Sequence, residues 1–133
     1  MEQSLYINLT EHNQTGCSIL DEQHHGITAT INSLYYFIQK GYGLEALKPT
    51  LKILNEYLMF HIKTEEMILE DHGLILDVKE KRALNDEIKK FQRIAQEAIM
   101  HREPNLLLTF LKKWWSHHQK RHRDVWKVYL EKK

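Results

Sequence analysis

The stretch "LKILNEYLMFHIKTEEMIL", residues 51–69, decides the fold and carries one anomaly. Leu51, Leu54, Leu58, His61, Glu65 and Ile68 recur at spacings of three and four, the period of one face of an α-helix, and Leu47 extends the row upstream. A helix with such a stripe buries it against other helices. This one sets an imidazole and a carboxylate among the leucines. An inward carboxylate costs several kcal/mol unless it is paired or neutralised.

Working outward, the same period recurs between breakers. Gly16 closes an N-terminal arm, residues 1–17. Helices are expected over about Ser18–Lys40, Leu44–Asp71, Asp77–His101 and Asn105–Glu131, with "GYG" (41–43), Gly73 and "REPN" (102–105) as the stops. Pro49 falls near the start of the second helix, where it is tolerated. Short connections between helices imply antiparallel neighbours. The expected fold is all-α: one domain, residues 1–133, an up-down-up-down antiparallel four-helix bundle with an N-terminal arm.

Three further inward faces follow. The first helix offers Leu20, His24, Ile27, Ile31, Leu34 and Ile38. The third offers Leu84, Ile88, Phe91, Ala95 and Ile99, all apolar. The fourth offers Leu107, Leu111, Trp114, His118, His122, Val125 and Tyr129. At 1.5 Å per residue, His24 lies ~9 Å into the first helix, and Glu65 and His61 lie ~9–15 Å from the end of the second. His122 and His118 lie ~14–20 Å from the end of the fourth. Between antiparallel neighbours these levels fall toward one end of the bundle. Imidazole nitrogens with a carboxylate oxygen suit divalent iron, zinc or manganese, and helix bundles hold metals this way. His24, His61, Glu65, His118 and His122 are therefore the candidate metal ligands. Spacing alone leaves mutual His–Glu hydrogen bonding without metal as the competing account.

Composition narrows the class. With only 5 Gly and 2 Pro in 133 residues, a turn-rich β fold is disfavoured. A formal net charge of +1 gives no global reason for nucleic acid or an anionic membrane as partner. The basic excess from Lys112 to Lys133 reads as a solvated face. One cysteine, Cys17, rules out an internal disulfide and suits a reducing compartment. The polar N-terminus lacks a signal-peptide core, and no apolar run reaches the ~20 residues of a membrane span. The expected location is the cytoplasm.

"TGCSILDEQHHGI" (15–27), "FHIKTEE" (60–66) and "FLKKWWSHH" (110–118) together resemble the hemerythrins, with the bacterial single-domain members as the nearest type. The first stretch resembles the family's Asp-x-Gln-His motif, the second its His-x-x-x-Glu motif, and the third its last-helix His motif. The resemblance implies an iron site in which His24 and His61 serve one iron, Glu65 bridges, and His118 serves a second. The pattern then breaks. Leu84 and Ile88 stand where the family's third helix carries a His-x-x-x-His pair, and Arg123 stands where a bridging Asp is expected. Asp124 is one residue away, which turns it about 100° off that face. His122 is one turn beyond His118 and stays on the stripe. A second iron would thus lose two of its nitrogens and meet a like charge.

The resulting expectation is a binding protein in preference to an enzyme, with a peroxide- or nitric-oxide-processing activity at an open iron position as a third alternative. It would hold one iron in preference to two, with zinc or manganese as alternatives. Dioxygen or another small diatomic would be the ligand, in sensing, storage or iron handling. Ordinary carriage in the family draws one electron from each of two irons, which a single ion cannot supply. A sensor would need a separate protein partner. The alternative is a metal-free structural or interaction bundle, with Leu84 and Ile88 as its repacked core. Replacement ligands from a re-registered third helix, Asp77, Glu80 or Asp86, stay open. His25 and His117 are expected to face away, and His12, His72 and His101 to lie at ends or in loops. Asp21 is expected to cap the first helix or orient His24 and His25. Met59 and Met67 are expected in the core, and Trp115 and Trp126 at helix contacts or partly exposed. Cys17 has no assigned role.

Overall fold

The computed structural model describes residues 6–7, 17–71, 73 and 78–131, with side chains for all of these except residues 80 and 121–131. Four helices account for its regular structure: α1 (Ser18–Gln39), α2 (Gly43–Asp71), α3 (Val78–Met100) and α4 (Pro104–Glu131). Among the described residues there is no strand. None of these helices is long and apolar enough to cross a membrane.

The ends follow from local chemistry. α1 stops where Gly41 takes a left-handed φ of 84°, and the Gly41 and Tyr42 N–H groups return to the carbonyls of Ile38 and Phe37. α3 stops at Arg102, which takes a φ of 56° where a side chain is strained. Pro104 then occupies the first position of α4, where its missing N–H costs nothing. The N-cap of α1 is Cys17, with no side-chain cap bond. Asp21 sits inside the first turn rather than at the cap.

The main apolar core joins all four helices: Ile27, Ile31 and Leu34 from α1, and Leu47, Leu54 and Leu58 from α2, with Leu20 and Leu69 forming a smaller separate cluster. To the main core Phe91, Ala95 and Ala98 come from α3, and Leu107, Leu111 and Trp115 from α4. Contacts between α1 and α2 pair Gln23 with Thr64, His24 with His61 and Gly26 with Tyr57, so these two helices run antiparallel. Near the N-terminus, the Asn32 side chain bonds both backbone groups of Ile7, at 2.8 and 2.9 Å. Tyr6 stacks on Tyr35 at 4.9 Å, with the Lys112 ammonium 4.5 Å from its ring centre.

Several expected placements are corrected. Met59 and Met67 are exposed, because each lies one residue beside the stripe rather than on it. At the end of α3 the core takes Ala98 and leaves Ile99 exposed. The small side chain lies where the chain turns back, with the Glu103 N–H on the Ala98 carbonyl. Trp115 is fully buried. Asp86 is exposed and supplies nothing to the interior. His25, His101 and His117 are exposed, as are Lys112, Lys113 and Lys120. Asp77, His12 and His72 lie outside the described residues, and the side chains of Glu80, His122, Arg123, Asp124, Val125, Trp126 and Tyr129 lie outside them too.

Candidate metal centre

His24 on α1, His61 on α2 and His118 on α4 meet inside the bundle, and all three are buried. Each can offer a ring nitrogen such that the three atoms lie within 4.8 Å of one another. His24 Nε2 and His61 Nε2 are 3.1 Å apart. Two nitrogens held about 2.1 Å from one ion stand ~3.0 Å apart at a right angle and ~3.4 Å apart at the tetrahedral angle. The pair already has the span of two ligands on one ion.

Glu65 is also buried, with Oε1 3.4 Å from His61 Nε2. It joins the group through His61 rather than as a fourth corner of the cluster. Of the five expected ligands, three are brought together, Glu65 lies beside them, and the side chain of His122 lies outside the described residues. α3 contributes no ligand to the cluster among the described residues. Its Leu84 is buried and its Ile88 half-buried, so the two-iron arrangement of the resemblance does not fit this chain. The three histidines could hold a single ion.

The polarity of the site follows from one carbonyl. Thr64 Oγ1 donates to the Phe60 carbonyl at 2.9 Å, because a carbonyl can only accept. The same oxygen accepts from Gln23 Nε2 at 2.9 Å. Gln23 must then present Oε1 to His61, and His61 Nδ1 donates to it at 2.9 Å. A neutral His61 with its proton on Nδ1 has a bare lone pair on Nε2. That lone pair faces His24 Nε2 and the Glu65 carboxylate. A lone pair against a carboxylate is repulsive unless a cation or a proton lies between them. A liganding histidine held at its other nitrogen by a neighbouring acceptor is the usual arrangement around protein-bound metals.

Aromatic rings close the site on the α4 side. Trp115 stacks on His118 at 5.2 Å and 16°, and meets the His24 ring edge-on at 5.1 Å. Its Nε1 donates to Thr28 Oγ1 at 2.7 Å, which fixes the indole plane. Trp114 packs on His118 at 5.3 Å. These rings exclude water, which strengthens electrostatic interactions at the histidines.

Gln23, Thr64 and Thr28 were not singled out from the sequence. A signal for two of them exists. Gln23 completes the spacing Leu20, Gln23, His24, Ile27, and Thr28 continues it to Ile31, so both belong to the inward face of α1. Thr64 is only half-buried and lies off the leucine stripe, so its role shows only through its hydrogen bonds.

No protein-family model, curated protein or solved structure matches this chain.

Proposed function

We propose that this chain is a cytoplasmic, hemerythrin-like non-heme metal-binding protein. It holds one divalent ion, iron in preference to zinc or manganese, between His24, His61 and His118, with Glu65 as the neighbouring anion. The supporting observation is the bond order running from the Phe60 carbonyl through Thr64 and Gln23, which engages His61 Nδ1 as a donor and turns His61 Nε2 toward His24 and Glu65. The preference for iron rests on the motif resemblance, because the donor set alone suits all three metals. His122, one turn beyond His118, is the additional ligand of this reading. An iron ion held there would supply affinity for dioxygen or another small diatomic together with one-electron redox chemistry. The chain's own residues orient the imidazoles, balance charge through Glu65 and keep water out with Trp114 and Trp115. The role is oxygen binding, sensing or iron handling.

A second reading has its own observation. At 3.1 Å, His24 Nε2–H can donate directly to His61 Nε2, which would satisfy both of these nitrogens in a metal-free structural bundle. Anaerobic titration of metal-free protein with Fe(II), read as tightly held atoms per chain, separates the two. One atom per chain, lost in His61→Ala with helicity retained, is the expected result. None would leave the metal-free bundle, and two would remove the single-ion site.

A further inference from the structure

The outward side of the α1–α2 pair is built like a groove for a third helix. Two adjoining concavities of about 560 and 700 Å³ run along it and share Ile53 and Tyr57 in their walls. The floor is the α1 row Ala29, Thr30 and Ser33, small side chains at spacings of one, three and four, continued by Gly26, over which the Tyr57 ring lies between the two concavities. Its two hydroxyls are already used: Thr30 donates to the Gly26 carbonyl at 2.8 Å and Ser33 to the Ala29 carbonyl at 2.7 Å. The floor is thus apolar in effect.

Its walls are large and exposed. Phe60 at 67% and Tyr42 at 60% stand at opposite ends, with Phe37, Ile53, Tyr57 and Ile19 between and around them. Contiguous exposed rings of this kind mark an interaction surface, whereas scattered ones do not. From Ile19 to Phe37 the groove follows 18 residues of α1, or ~27 Å, the length of a helix of five turns. The charged residues lining it are Glu22, Glu45 and Glu56, and no Lys, Arg or His lines it among the described residues.

We infer that this groove docks an amphipathic helix of another protein, with an apolar stripe toward Ala29 and Tyr57 and basic residues on its flanks toward Glu22, Glu45 and Glu56. Charge selects this occupant. A second copy of the chain docked face to face would set the three glutamates against their own counterparts. An anionic membrane would meet the same acidic rim. A helix flanked by lysine or arginine meets complementary charge on both sides of an apolar seam. The inference does not depend on the metal, although Gln23, which holds His61, forms part of the groove's wall.

The test uses two synthetic 18-residue helical peptides that share one leucine stripe and differ only in having lysine or glutamate on the flanks. Each is titrated into the full-length protein while backbone amide shifts are followed. The lysine peptide is expected to saturate, to shift amides of α1 and α2 along residues 19–37 and 42–60, and to bind at least tenfold tighter than the glutamate peptide. Phe60→Asp, at an exposed position, should weaken it at least tenfold with helicity unchanged. The double variant E22K/E56K should reverse the order of the two peptides. Equal affinity for both peptides, or shifts centred elsewhere, would overturn the inference. So would self-association that Phe60→Asp abolishes, or binding confined to vesicles of anionic lipid.

Discussion

Replacing Thr64 by Val removes one hydroxyl at nearly constant shape and tests the polarity of the site. Thr64 is the acceptor that obliges Gln23 to face His61 with oxygen. Without it the Gln23 amide can turn over, and His61 loses the acceptor that keeps its proton on Nδ1. Loss of such an outer partner weakens metal affinity by ~10–100-fold. With metal at ~100 times Kd, binding to the folded state alone adds about 2.7 kcal/mol to wild-type stability. An unfolding entropy of ~2.1 cal/mol/K per residue, over 133 residues, converts this to a rise of about 10 °C in Tm. At the same metal concentration the variant should rise by only about 1.5–5 °C. In chelator, where only the hydrogen bond is lost, its Tm should fall by about 4 °C, equivalent to ~1 kcal/mol. The assay is a pair of thermal melts for each protein, in chelator and in Fe(II) under anaerobic conditions or Zn(II). Equal metal-induced rises in wild type and variant would refute the hydrogen-bond reasoning, and no rise in the wild type would remove the metal itself.

Four other substitutions probe separate features. Glu65→Leu should abolish the metal-induced rise in Tm while leaving the metal-free protein at least as stable in urea, since a buried carboxylate is replaced by hydrocarbon; a large loss of stability in chelator would contradict this. Trp115→Phe removes the bond to Thr28 and part of a fully buried ring, and should cost about 2–3 kcal/mol by urea unfolding, with a cost under ~1 kcal/mol counting against the packing described. Gly43→Ala puts a Cβ 2.8 Å from Ile38 Cγ1 and 3.0 Å from Pro104 Cγ, so a loss of about 1–3 kcal/mol is expected by the same measurement. Arg102→Gly relieves a left-handed backbone at φ 56° and should gain about 0.5–1 kcal/mol; an unchanged or lowered urea midpoint would show that the turn is not strained.

Much of the helical framework was legible because its stops are local. Gly41 and Pro104 act through their own backbone chemistry, and the expected ends lie within about a residue of those observed. Leu20, His24, Ile27, Ile31 and Leu34 were placed correctly because a period of 3.6 leaves little choice on a well-marked stripe. Placement failed where residue type was followed in place of phase. Met59 and Met67 are apolar but lie beside the stripe, and at Ala98 and Ile99 the spacings of three and four compete. Close approach of the chain at the α3–α4 turn decides for the smaller residue. Three site histidines and Glu65 announced themselves as polar breaks in apolar rows. Gln23 lay on the inward face of α1 and within the quoted motif, but its role as acceptor for His61, like that of the off-stripe Thr64, comes only from the partners that the fold brings within 2.9 Å.

The three imidazoles come from positions 24, 61 and 118, on α1, α2 and α4. An ion shared among them would act as a cross-link spanning most of the polypeptide, restricting the unfolded chain as a disulfide does. α3 stands outside that tether. Among the described residues it is held mainly by apolar side chains such as Phe91, Ala95 and Ala98, with a bond from Gln92 to Asn55 of α2, so its amides would exchange with solvent before those of its three fastened neighbours.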